Sequence, residues 1–142
     1  IKNHLGPNKG TGCLHLNNSG INHPLFSGFS SRPFFQWSHA FVVNKLPTGS
    51  ALLGSHSQSI NAAFQCGSFI GLQFHPEFGA LRGSGYGVKI MTNLIEMKKD
   101  EAETEQEKDM LEVILRHHVR STPDSIKIFD NWVDMVRNGF FK

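Results

Sequence analysis

The strongest constraint on the fold is the apolar run FIGLQF, residues 69–74, which leads directly into His75-Pro76-Glu77. An apolar run of this length predicts a strand covered on both faces. Pro76 should end that strand, because proline has no backbone N–H to donate to a neighbouring strand. Open α/β sheets present catalytic groups where their strands end. The chain is therefore predicted to be an α/β protein with a chemically important strand end.

The rest of the sequence predicts strands before this point and helices after it. Strands are expected at 12–16, 34–43 and 50–54, and a β-hairpin is expected from 60–65 and 68–74, turning at Cys66-Gly67. A glycine-rich loop, 79–87, should lead to helices at 88–99 and 110–119. Thr122-Pro123 is typical of a helix start, with threonine as the cap. Gly139 should end this closing helix, whose inward face is predicted to carry Ile126, Phe129, Trp132, Val133 and Val136.

Acidic residues are distributed very unevenly. Of 12 Asp and Glu in 142 residues, 11 lie at or after Glu96, and Glu77 is the only one before it. The dense acidic stretch 96–112 is interpreted as a solvated helical face or a mobile insertion. Basic residues form no cluster and no apolar run reaches the roughly 18 residues of a membrane span, so nucleic-acid and membrane partners are not expected.

The start of the chain and its two cysteines bear on where in the cell the protein is expected. The chain begins at Ile1 with a polar, turn-rich run, which resembles no targeting peptide and suggests a cut through a longer chain. Cys13 and Cys66 are too few for a disulfide framework, so a cytoplasmic location is expected.

The His75-Pro76-Glu77 spacing suggests an acid–base pair. Proline fixes its own φ, so the separation of the two side chains is held by stiff backbone. Glu77 would accept a hydrogen bond from one ring nitrogen of His75 and prepare the other nitrogen to take a proton. The spacing alone is equally compatible with a histidine and a glutamate that have only a structural role.

These residues belong to a longer ordered set. It consists of Lys9-Gly10, Pro24-Leu25-Phe26, Ser38-His39, LPTG at 46–49, AFQCG at 63–67 and QFHPE at 73–77. In this order the set resembles the class I glutamine amidotransferase family, whose closing signature is Gln-Phe-His-Pro-Glu. The resemblance covers about residues 9–78 and implies a partial open mixed sheet of the flavodoxin-like type. Residues 1–142 would form the C-terminal portion of one such domain, strand-rich over 9–78 and helical over 88–142.

The resemblance also implies a reaction, without a cofactor or a metal. A cysteine thiolate attacks the side-chain amide of glutamine, and the ammonia passes to a synthetase domain or subunit. His75 matches the general acid–base and Glu77 the orienting carboxylate. In some members a His-Gly-Phe segment contacts glutamine through its backbone, and Ala40 and Phe41 occupy the corresponding positions here.

The nucleophile does not match. The family places it at a Gly-x-Cys-x-Gly elbow after an apolar strand, whereas Cys13 follows no apolar run and Cys66 lies in a predicted turn. This chain alone is therefore expected to be inactive. Two alternatives remain open: a non-catalytic binding or scaffold module of the same family, and a γ-glutamyl peptide hydrolase. The eight histidines show no ligand spacing that would indicate a metal site.

Overall fold

The computed structural model describes residues 8–80 and 86–142, and in them strands precede helices. This confirms the predicted α/β class. The described strands are β1 (Asn8–Cys13), β2 (His15–Leu16), β3 (Phe34–His39), β4 (Ala51–His56), β5 (Ser59–Cys66), β6 (Phe69–Leu72) and β7 (Phe74–His75). The described α-helices are α1 (Asn18–Ile21), α2 (Pro76–Ala80), α3 (Tyr86–Asp100), α4 (Glu105–His117) and α5 (Ile126–Arg137), with 3₁₀ turns at Pro24–Phe26 and Pro123–Ser125.

The strands form two sheets, ordered β1-β3-β7 and β2-β4-β5-β6, and all described pairs are antiparallel. Two-residue turns join β4 to β5 and β5 to β6. Gly67 opens the second turn, one residue later than predicted, and its φ of 57° is a conformation that glycine adopts without strain. In the first sheet Thr11, Gln36 and His75 lie side by side across the three strands.

The central strand of the first sheet carries much of the core. Phe35 and Trp37 are almost completely buried, and Phe74 on β7 stacks against Phe35 with ring centroids 4.0 Å apart. Full burial of such a side chain stabilises the fold by about 1.5–3 kcal/mol. The residue next to His75 is therefore anchored firmly in the core.

The run FIGLQF is not one strand, as predicted, but two. The chain bends at Gln73, so that β6 belongs to the four-stranded sheet and β7 to the three-stranded one. The expectation of two covered faces is also wrong, since Phe69 is 79% exposed. The physical reason is position: β6 pairs only with β5 among the described strands and forms an edge.

The helices predicted at 88–99 and 110–119 are present as α3 and α4. They pack through a second apolar cluster that contains Met91, Ile95 and Leu111. The acidic stretch 96–112 comprises the end of α3, a non-helical connection at 101–104 and the first part of α4, and most of its side chains are exposed, with ion pairs such as Lys108–Glu105 at 2.8 Å. The glycine-rich loop predicted at 79–87 is largely outside the described residues, although α2 extends to Ala80 and α3 begins at Tyr86.

The closing helix is present, but its inward face differs from the prediction. Ile128 and Met135 are buried, whereas four of the predicted residues are 39–48% exposed: Ile126, Phe129, Trp132 and Val136. Apolar residues occur around most of α5, so periodicity alone selected the wrong stripe. Pro123 occupies the first position of its turn as predicted, but Thr122 makes no capping hydrogen bond. Within the described segments, no helix has both the length and the apolar character that crossing a membrane requires.

Candidate functional site

His75 and Glu77 are brought together at the junction of β7 and α2. His75 is the last residue of the strand, and Pro76 starts the helix, where its fixed φ and missing N–H are tolerated. Nδ1 of His75 lies 2.6 Å from Oε1 of Glu77, a hydrogen bond between side chains that are 32% and 49% exposed. The pair is thus positioned by rigid backbone and remains accessible to a ligand.

The other ring nitrogen of His75 faces β3. Nε2 lies 3.3 Å from the carbonyl oxygen of Ser38, and the ring stacks on Phe78 with centroids 4.5 Å apart and planes 9° apart. Both Glu77 and Ser38 offer acceptors, so the imidazolium donates to both of them. In the neutral ring, the nearer and charged acceptor Glu77 favours hydrogen on Nδ1, so the hydrogen bond to Ser38 is absent and Nε2 keeps a lone pair for a proton. The geometry therefore suits a group that takes and returns a proton at Nε2.

Burial discourages the positive charge of three basic side chains on β1, β3 and β4. Lys9 donates to Oγ of Ser38 at 3.0 Å, and burial lowers the pKa of its ammonium group, with a further contribution from Lys98. Burial likewise lowers the pKa of His39 despite an opposing backbone contact, and it lowers the pKa of His56 to about 4. At neutral pH these two histidines are therefore uncharged.

The predicted substrate-binding residues lie just beyond Ser38. Ala40 is exposed and Phe41 is 66% exposed, so both are accessible from solvent. Gln73 holds this segment: its Nε2 donates to the carbonyl of Phe41 at 3.2 Å, and its Oε1 accepts from the backbone N–H of Val43 at 3.3 Å. Sequence reasoning missed Gln73 as a positioning residue. Its place two residues before His75 was the available signal.

A second amide side chain supports the same segment from β5. Nδ2 of Asn61 donates to the carbonyl of Val43 at 2.9 Å and to that of Asn44 at 3.2 Å. Sequence reasoning missed Asn61 too, and its spacing offered no signal. The segment after β3 is therefore fixed from β5 and from the bend between β6 and β7.

The two cysteines are not part of this site. Cys13 pairs with Phe34 at the far end of β1, which places its Cα about 12 Å from that of His75 by ordinary strand spacing. Burial raises the pKa of the Cys13 thiol, although the charge of Arg32 opposes this effect. Cys66 ends β5 in the other sheet. Neither cysteine is therefore placed beside the His75–Glu77 pair.

No group of three or more His, Cys, Asp or Glu side chains within residues 8–80 and 86–142 is arranged to hold a metal ion. His117 ends α4 and His118 is its C-cap. The candidate site is therefore built from His75, Glu77 and the segment that follows β3.

Comparison with known proteins gives consistent similarities. A family model described as glutamine amidotransferase class-I matches residues 6–97. Imidazole glycerol phosphate synthase subunit HisH of Vibrio cholerae is 33% identical over 96 residues, covering 61% of this chain and 44% of that protein. The same subunit of Colwellia psychrerythraea is 38% identical over 88 residues, covering 61% of this chain and 35% of that protein. This chain thus spans less than half the length of these curated relatives.

A solved structure shows the same fold at low sequence identity. A glutamine amidotransferase from Thermotoga maritima superposes with a TM-score of 0.61 at 18% identity, covering 94% of this chain and 52% of that one. This chain therefore has the same fold as that protein, and about half of the neighbour's chain lies outside the matched region.

Proposed function

This chain belongs to the class I glutamine amidotransferase family, and from that premise we propose that it supplies the acid–base half of a glutaminase site. In the proposed reaction, the side-chain amide of glutamine is hydrolysed and the ammonia passes to a synthetase domain or subunit. The observation that carries the proposal is the 2.6 Å contact between His75 and Glu77 at a strand end, with Nε2 on the opposite side of the ring.

The first half of the proposed reaction forms a thioester. The nucleophile is a cysteine thiol outside residues 1–142. Nε2 of His75 takes the thiol proton, and the thiolate attacks the amide carbon of glutamine. His75 then gives that proton to the leaving nitrogen, so the carbon–nitrogen bond breaks and ammonia departs. Glu77 keeps the Nδ1–H orientation and stabilises the transient imidazolium.

The second half releases glutamate. Nε2 of His75, again neutral, takes a proton from water, and the resulting hydroxide attacks the thioester carbon. The carbon–sulfur bond breaks, and His75 returns the proton to the thiolate. No cofactor is needed in this reaction, because each proton removed by His75 is returned in the following step.

Ala40 and Phe41 are proposed to contact the bound glutamine through their backbone. The support is positional: they follow Ser38, whose carbonyl contacts His75, and Gln73 and Asn61 fix the segment by four hydrogen bonds. A fixed backbone offers a substrate preorganised donors and acceptors at little cost in entropy.

A second candidate is a non-catalytic amidotransferase-like binding or scaffold module. One observation favours it: neither described cysteine lies beside His75, and burial raises the pKa of the Cys13 thiol. The two candidates differ in whether the natural protein that contains this chain hydrolyses glutamine.

The deciding experiment is a glutaminase assay of that natural protein and two histidine variants. We expect glutamate release that His75→Ala abolishes and that His117→Ala, a change on an exposed helix end, leaves unaltered. Folded wild-type protein without glutamate release would favour the non-catalytic module. Faster turnover of γ-glutamyl peptides than of glutamine would identify the third possibility, a γ-glutamyl peptide hydrolase.

A further inference from the structure

A cavity lies away from the His75 site. It encloses about 480 Å³ between the segment before β3, the residues that follow α4 and the start of α5. None of His75, Glu77, Ala40 and Phe41 lines it. A volume of this size accommodates a small metabolite.

The cavity is lined by an excess of positive charge. Arg32, Arg120 and Lys127 contribute three cations, and Asp124 contributes the one carboxylate, which leaves a net charge of +2. Asp124 pairs with Lys127 at 3.0 Å, whereas neither arginine has a carboxylate partner within the described residues. Two uncompensated guanidinium groups favour a doubly charged anion, and their planar forks match the oxygens of a phosphate.

A buried hydroxyl in the cavity lining also lacks a partner. Thr122 is 4% exposed, and its Oγ1 makes no hydrogen bond within the part of the chain that the structure describes. Buried polar atoms are nearly always paired, and Oγ1 of Thr122 is itself covered, so this hydroxyl would meet a ligand oxygen only after the side chain rotates about χ1.

Two aromatic rings add flat apolar surface to the same lining. Phe34 is 59% exposed, and Phe29 is partly buried with the ammonium of Lys127 5.7 Å from its ring centroid. Phenylalanine faces stack on planar groups. From the cavity, its charge, the orphaned hydroxyl and these rings, we propose that the cavity binds a small organic phosphate that carries a planar ring.

Calorimetric titration of the full 142-residue chain at low ionic strength tests the proposal with adenosine monophosphate, adenosine and inorganic phosphate as probes. We expect the monophosphate to bind at least about tenfold more tightly than adenosine, because the phosphate supplies the charged contacts. Arg32→Ala and Arg120→Ala should each weaken the monophosphate about tenfold. Both side chains are exposed, so the variants should retain the wild-type circular dichroism spectrum.

Arg137→Ala is the matched control, because Arg137 is an exposed arginine on α5 that does not line the cavity. We expect it to leave binding of the monophosphate unchanged. Equal affinity for adenosine and its monophosphate, an equal loss in the Arg137 variant, or no binding of the monophosphate would each overturn the proposal. Inorganic phosphate should bind more weakly and lose affinity in the same two variants, and its insensitivity to them would also count against this site.

Discussion

Replacing Glu77 by glutamine tests whether the carboxylate charge prepares His75. The amide keeps an oxygen that can accept the Nδ1–H bond, which is 2.6 Å long in the wild type, but it removes the negative charge beside the ring. A hydrogen bond to a charged group contributes about 1.5–3 kcal/mol. Since the two side chains are 32% and 49% exposed, solvent screens part of this energy, and we expect a loss of about 1–2 kcal/mol.

The carboxylate stabilises His75 most when the ring is protonated, as it is in the transition state. The substitution should therefore raise the activation free energy by about this amount. We therefore expect kcat for glutamine hydrolysis by the natural protein to fall about five- to thirtyfold in Glu77→Gln. KM should stay within about twofold, because in the proposed mechanism Glu77 acts through His75 and does not touch substrate. Glu101→Gln is the control: Glu101 is 58% exposed and pairs with Lys98 on a helix surface.

A second measurement needs no catalytic activity. The ¹⁵N chemical shifts of the His75 ring, recorded on this chain at a pH where the ring is neutral, report which nitrogen carries the hydrogen. We expect hydrogen on Nδ1 in the wild type and a shift of population towards Nε2 in Glu77→Gln. An unchanged tautomer together with an unchanged kcat, or an equal loss of kcat in Glu101→Gln, would refute the orienting role of Glu77.

Three further predictions concern stability and activity. Gly20→Ala should lower the free energy of unfolding in urea by about 2–3 kcal/mol, because a Cβ there would lie 1.9 Å from the carbonyl oxygen of Leu53. In Gly28→Ala the new Cβ would have nothing within 4 Å, so only the φ of 78° should cost stability, by about 1 kcal/mol; the reverse order would contradict the steric argument. The pKa of His56 is about 4 in the folded protein against an ordinary 6.5, so only the unfolded state gains this proton as the pH falls from 6.5 to 4. The free energy of unfolding should therefore decline over that interval, and it should decline less in His56→Phe. An equal decline in both proteins, measured by urea unfolding at several pH values, would exclude His56 as the cause. Purified residues 1–142 should release no glutamate from glutamine, whereas release that Cys13→Ser abolishes would identify Cys13 as the nucleophile.

The candidate pair could be predicted from the sequence because its geometry is local. His75 and Glu77 are separated by one proline, so stiff backbone sets their distance and distant parts of the chain matter little. Helices α3 and α4 could also be predicted, since their apolar residues repeat at helical spacing.

Features that depend on tertiary structure could not be predicted from local sequence. The bend at Gln73 and the edge position of β6 follow from which strands pair, which the run FIGLQF does not encode. The buried stripe of α5 depends on what the helix packs against, and its apolar residues fit more than one stripe. The hydrogen bonds from Gln73 and Asn61 to the segment after β3 join residues 17 to 32 positions apart, beyond the reach of spacing arguments.

The completely buried side chain of Gln36 has a consequence for shortened versions of the protein. Gln36 lies beside His75 across the sheet, and its amide donates to the carbonyl oxygen of Arg120 while its own oxygen accepts from Thr11. Deleting the chain from residue 120 onwards would remove no proposed catalytic group, yet it would leave a buried amide donor without its acceptor next to the histidine strand. The C-terminal segment, remote from His75 in sequence, thus sets a minimum length for any shortened protein that is to keep the site in order.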